Sequence, residues 1–161
     1  MPSSATKKTG SAPRRRARLL LAAGCLALAV ALLCLAPFFD HNPGGYEQAE
    51  IGGFVYKLQV AATPAARAIG LSTHRSLGLH EGMLFIYPVP GDQCFWMKNM
   101  HFSIDIIWLD HIHRVVHVLS NVSPATYPKS FCPPVPAQYV IELHAGQAAQ
   151  DDVRSGTLLD W

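Results

Sequence analysis

The sequence predicts an α+β, mostly β domain: a compact antiparallel, barrel-like or rolled sheet with one or two short helices, preceded by an N-terminal apolar helix. Three observations carry this prediction. Runs of strand length with alternating or continuous apolar residues recur between Gly- and Pro-rich breaks, as in Phe54–Val60, Met83–Tyr87, Ile104–Leu109 and Tyr139–Leu143. Helical signals are confined to two short stretches, 63–70 and 145–152. Leu19 to Ala36 is one uncharged apolar run directly behind a basic cluster.

Taken in order, residues 1–18 are polar and basic and have too little apolar surface to build a core. Residues 19–39 follow as a signal anchor or signal peptide. The run from Leu19 to Ala36 spans about 27 Å as a helix, close to a bilayer core, and Phe38 and Phe39 suit the interface. Small-x-small triplets at Ala29-Val30-Ala31 and Cys34-Leu35-Ala36 leave a cleaved signal peptide open beside an uncleaved anchor. Residues 40–53 read as a linker, because His41-Asn42-Pro43-Gly44-Gly45 breaks regular structure. The globular domain then occupies 54–161.

Within that domain, Phe54, Tyr56, Leu58 and Val60 alternate with Val55, Lys57 and Gln59 as a half-buried strand. Thr63-Pro64 supplies the capping residue and first-turn proline of a helix that Gly70 closes. Met83–Tyr87 is a continuous apolar run, expected as a central strand, with a turn at Pro88-Val89-Pro90-Gly91. Cys94–Met97 is strand-like. Ile104–Leu109 and Arg114–Leu119 flank the turn Asp110–His113 as a hairpin. A long proline-rich loop covers 123–136. Tyr139–Leu143 is a further strand, a short helix follows within Ala145–Asp152, and Thr157–Trp161 is expected as a final short strand.

Charge is divided between the two ends of the chain. Lys7, Lys8, Arg14, Arg15, Arg16 and Arg18 precede the apolar run, and every acidic residue follows it. The remainder holds seven basic and eleven acidic residues, a net of −4 with histidines neutral. Such a domain is a poor partner for a phosphate backbone, so no nucleic-acid partner is expected. Basic residues ahead of the apolar run keep the N-terminus cytoplasmic and export the domain. The expected place is a bacterial envelope, with the domain periplasmic or otherwise extracytoplasmic. It is anchored in the membrane through residues 19–39, or secreted if they are cleaved. Cys25 and Cys34 lie in the apolar run. Cys94 and Cys132 fall in the exported part, where an oxidising compartment permits a disulfide. Two separate thiols remain the alternative.

Several blocks resemble the domain of unknown function 192 family. They are Thr63-Pro64-x-x-Arg67-x-x-Gly70-Leu71, Glu81-Gly82-Met83-Leu84-Phe85, Phe95-Trp96-Met97-Lys98-Asn99, Ile104-Asp105-Ile106-Ile107, and Tyr139-Val140-Ile141-Glu142-Leu143-x-Ala145-Gly146. The resemblance runs from about Phe54 to Trp161 and implies a small, often exported β-rich domain with no assigned activity. This chain departs from the usual pattern at Met100-His101-Phe102-Ser103 and at the turn Asp110-His111-Ile112-His113.

The block Phe95–Asn99 packs the most chemistry into the fewest residues. A ligand-binding site is expected around Trp96, Lys98, Asn99 and Asp105, with Arg67 beside them. On an alternating strand Asp105 points away from Ile104 and Ile106, onto a partly apolar face, and so needs a partner; Lys98 and Arg67 are the candidates. A small-ligand or partner-binding module is the leading reading. An envelope enzyme using Lys98 and Asp105 for acid–base chemistry is the first alternative. Copper handling through Met97, Met100 and His101 is the second. Phe85, Tyr87, Phe95, Trp96 and Trp108 line a groove or, more often for such residues, fill a core. His111, His113 and His117 lack a metal-ligand spacing. The chain has neither a nucleophile elbow nor a phosphate-cradling loop, and no cofactor or resident metal is expected.

Overall fold

The computed structural model describes residues 45–161. The basic segment, the apolar run 19–39 and residues 40–44 lie outside the described residues. Among the described residues no helix is long and apolar enough to cross a membrane.

The elements in chain order are β1 (Tyr46–Ile51), β2 (Phe54–Ala61), α1 (Pro64–Ile69), β3 (Glu81–Gly91), β4 (Phe95–Trp96), β5 (Ile104–Leu109), β6 (Val115–Val122), a 3-10 turn (Pro124–Thr126), β7 (Ser130–Phe131), β8 (Ala137–His144) and α2 (Gln147–Gln150). Six strands form one sheet in the order β1-β2-β3-β8-β5-β6, and β4 pairs with β7 as a separate ribbon. All neighbours are antiparallel except β2 and β3. That parallel pair needs a crossover, which α1 and the loop after it supply.

Four expectations change. The sheet is mostly β as expected but is not closed into a barrel. Its outer strands β1 and β6 do not pair with each other, and the C-terminal residues touch them only through the isolated bridges Glu50–Asp160 and Arg114–Leu158. Those bridges are all that remains of the strand expected at 157–161. The part of the linker from Tyr46 onward is β1, paired along its whole length with β2. Gly52 and Gly53, both at positive φ (59° and 83°), make the two-residue turn between them. Ala49 and Ile51 are the inward residues of β1, and the polar remainder reflects its position at the sheet edge. Finally, the proline segment after Tyr87 stays extended as part of β3, with its pairing to β8 interrupted between Ile86 and Gly91. A proline has no N–H to offer a ladder, so it is tolerated where the ladder lapses.

The expected helix forms as read. The Thr63 hydroxyl accepts from the Ala66 N–H (3.1 Å), Pro64 opens the first turn and Gly70 ends it. The turn Asp110–His113 also forms, with Asp110 Oδ1 accepting from the N–H groups of Ile112 and Arg114 (2.9 Å each).

Both faces of the central strands are covered. On one face Tyr56, Leu58, Leu84, Ile107, Ile141 and Leu143 pack beneath Ala148, Val153 and Leu159 of the C-terminal segment. On the other, Met83, Phe85, Ile106, Trp108 and Val140 pack beneath Leu71 and Met97, with Phe95 and Phe131 closing over them. Double coverage explains why β5 and the start of β3 read as continuous apolar runs rather than alternating ones. A disulfide between Cys94 and Cys132, 38 residues apart, ties the β4–β7 ribbon together on the second face.

Candidate functional site

The second face of the sheet carries an open cavity of about 420 Å³. Its walls come from four places in the chain. The helix α1 and the residues after it contribute Arg67 and Gly70 to Ser72. Strand β3 contributes Phe85 and Tyr87, and the stretch 94–100 contributes Cys94, Phe95, Trp96, Lys98, Asn99 and Met100. Strand β8 contributes Glu142 at the floor.

The segment 93–100 is pinned from below. Trp108, fully buried in β5, donates its indole N–H to the Gln93 carbonyl (2.7 Å), and the Phe95 ring stands edge-on to both Phe85 and Trp108. Met97 is 2% exposed and anchors the segment in the core. The chain then turns, with Asn99 in the left-handed region (φ 59°) and the Met100 N–H reaching the Met97 carbonyl (3.3 Å). Asparagine adopts that conformation more readily than other side chains. The turn leaves Lys98 exposed at the cavity edge, with its ammonium 5.6 Å from the centre of the Trp96 ring. Trp96 is 56% exposed.

Arg67 is held in place from several directions. Its Nη1 donates to the carbonyls of Ala62 (2.6 Å) and Ile86 (2.8 Å), and its guanidinium lies 4.7 Å over the Tyr87 ring. Burial pushes the Tyr87 hydroxyl pKa up, with the Arg67 charge pulling it back and Glu142 adding to the rise.

Glu142 was not singled out as a site residue from the sequence. It sits on β8 opposite Met83 of β3 and Ile106 of β5, in the middle of an apolar layer. It is 5% exposed, and its Oε2 has no hydrogen-bond partner. Desolvation alone pushes its pKa up to about 8, so the carboxyl is neutral at neutral pH. A charged residue within the apolar run Tyr139–Leu143 was the available signal. The alternation there reads as an outward face only if that face is open to water, and here it is covered.

Of the residues expected at a site, Trp96, Lys98, Asn99 and Arg67 line this one cavity, and Asp105 does not. Asp105 pairs across the ladder with Leu143, while Glu142 pairs with Ile106, so the two carboxyls face opposite sides of the sheet. Asp105 is fully buried, and its partners are main-chain amides. Oδ1 accepts from Asn121 (2.7 Å) and Gly146 (3.0 Å), and Oδ2 accepts from Ala148 (2.8 Å). It therefore fastens α2 and the end of β6 to β5. The expected pairing with Lys98 or Arg67 is absent, and with it the acid–base pair Lys98–Asp105. The copper set also comes apart: Met97 is core, while His101 is exposed. Among the described residues no group of three or more His, Cys, Asp or Glu is placed to hold a metal. The aromatics divide as well, Trp108 and Phe85 being core and Trp96 rim.

Comparison with known proteins finds the same fold elsewhere. A protein of unknown function from Novosphingobium aromaticivorans DSM 12444 superposes with a TM-score of 0.68 at 28% identity, over 72% of this chain and 85% of that one. A chain from Sinorhizobium meliloti 1021, described as a candidate transcription regulator, shares the fold with a TM-score of 0.67 at 24% identity, over 75% and 97% of the two chains. A UPF0127 protein of Thermococcus gammatolerans is 31% identical over 85 residues, which is 52% of this chain and about half (53%) of that relative's length. Residues 47–161 match the profile of DUF192, described as an uncharacterized ACR, and the chain therefore belongs to the DUF192 family.

Proposed function

We propose that this protein is a binding module whose domain is exported to the envelope and takes a small ligand in the cavity over β8. The observation that carries this reading is the unpartnered, buried Glu142 carboxyl at the floor of a cavity. A buried polar atom without a partner is uncommon in a folded protein, and a ligand group is the simplest partner for it. Four of the five sequence blocks also converge on that cavity, through Arg67, Phe85, Trp96 with Lys98, and Glu142. The fifth block sends Asp105 and Ile107 to the opposite face.

Export is supported by the uncharged run 19–36 behind six basic residues and by the Cys94–Cys132 disulfide, which suits an oxidising compartment. Fractionation of a bacterium producing the full chain should place it with the envelope; recovery in the cytosol with both thiols free would overturn this part.

The binding reading is tested by titrating the full chain, solubilised as needed, with four unrelated probes: indole, imidazole, benzamidine and acetate. Amide and side-chain NMR shifts should move at Trp96, Lys98, Phe85 and Glu142 for at least one of them. If none moves these residues, or if shifts scatter evenly over the surface, the cavity is not a ligand site.

A further inference from the structure

We propose that the cavity selects a small organic anion with an apolar ring body and a hydroxyl. The anionic group would meet Arg67 and Lys98, and the hydroxyl would meet Glu142. This rests on the binding reading above and specifies the chemistry of its ligand.

The charges at the site argue for an anion. Three ionisable groups of full charge line it, namely Arg67 from α1, Lys98 from the turn after β4, and Glu142 from β8; the Tyr87 phenol from β3 is the remaining titratable group. Glu142 is neutral below about pH 8. The lining then presents two cations and no anion. A cationic ligand would meet like charge there, and it would also have to force ionisation of a desolvated carboxyl.

The fixing of Arg67 argues in the same direction. Nη1 is committed to two carbonyls and the ring of Tyr87 holds the plane. Nε and Nη2 make no hydrogen bond among the described residues. That edge of the guanidinium matches two oxygens of a carboxylate, and its side chain is already ordered before a ligand arrives. Lys98 adds a second charge, on an exposed side chain, at the mouth.

A neutral carboxyl both donates and accepts, and a hydroxyl does the same, so the two satisfy each other without burying a charge. Phe85, Phe95, Tyr87 and Trp96 supply ring faces and edges for an apolar ring between those two ends.

Isothermal titration of the full chain with four probes of one shape tests the proposal. The probes are para-(hydroxymethyl)benzoate, para-ethylbenzoate, benzyl alcohol and para-(hydroxymethyl)benzylamine. At about pH 6 the hydroxy acid should bind at least about tenfold more tightly than the alcohol or the amine. The ethyl acid, which cannot satisfy Glu142, should fall between them. Lys98→Gln, a change to an exposed side chain, should weaken the acid by about three- to tenfold and leave the alcohol unchanged. Above about pH 8 the wild-type affinity for the acid should fall by up to about tenfold per pH unit, because an ionised Glu142 shares the cavity with the anion. Glu142→Gln keeps a donor and an acceptor and should hold its affinity through that range.

Equal binding of the alcohol, preference for the amine, or identical pH profiles for wild type and Glu142→Gln would each overturn the proposal. So would silence from all four while indole, imidazole, benzamidine or acetate still occupies the cavity; in that case the binding reading survives and the anion selectivity falls.

Discussion

Glu142 gives the sharpest test of the physical picture, because its burial links stability to pH. The carboxyl ionises near 4.5 when solvated and near 8 in the folded protein, with desolvation as the cause. Below about pH 4.5 it is protonated in both states and contributes no pH dependence. As pH rises from about 4.5 to about 8, the unfolded chain loses the proton while the folded protein keeps it. The folded state then binds more protons than the unfolded one, so the free energy of unfolding falls with pH. At about 1.4 kcal/mol per pH unit the loss approaches about 5 kcal/mol, and it levels off above pH 8, where both states are ionised. Glu142→Gln removes the titration while keeping the shape. Urea denaturation of both proteins at pH values from about 4 to about 9 isolates the effect, since all other groups cancel in the difference. The wild type should lose several kcal/mol relative to the variant over this range. Parallel stability curves would mean that Glu142 is solvated or paired, and the account of the cavity floor would be wrong.

Two further outcomes follow from residues outside the cavity. Asp105→Ala leaves three main-chain amides, of Asn121, Gly146 and Ala148, without their acceptor, and should cost about 3 kcal/mol or more in chemical denaturation; a loss below about 1 kcal/mol would show that those amides are readily resolvated. Reducing Cys94–Cys132 opens a loop closed over a separation of 38 residues and should lower stability by about 4 kcal/mol on the chain-entropy account, which comparing melts with and without a reductant would measure. Equal melting temperatures would indicate that the β4–β7 ribbon is held by packing alone.

Short-range chemistry in the chain sets the local elements and names part of the cavity lining. Thr63-Pro64 and Gly70 bounded α1, Asp110 made its turn, and the apolar runs marked β2, β3, β5 and β8, because capping, turn chemistry and burial act over a few neighbouring residues. Trp96, Lys98 and Asn99 of the block Phe95–Asn99, with Arg67 beside them, were expected together, and all four line the cavity. The edge strand β1 was missed within the expected linker, since half of its residues face water and leave a weak pattern.

Which carboxyl lines the cavity is set by tertiary packing. Asp105 and Glu142 both sit one residue from isoleucine in strands of the same sheet, and period-2 alternation places each relative to its own neighbours but not relative to the other strand. The register of β5 against β8 set Ile106 opposite Glu142 and Leu143 opposite Asp105, sending the two groups to opposite faces. What covers each face then fixed their chemistry. The C-terminal segment brings amide donors to Asp105, whereas the segments around α1 and β4 leave Glu142 beside a cavity in place of a partner. The groups that meet each carboxyl come from segments distant in sequence from it, so no local pattern could record which carboxyl would be satisfied and which would be left without a partner.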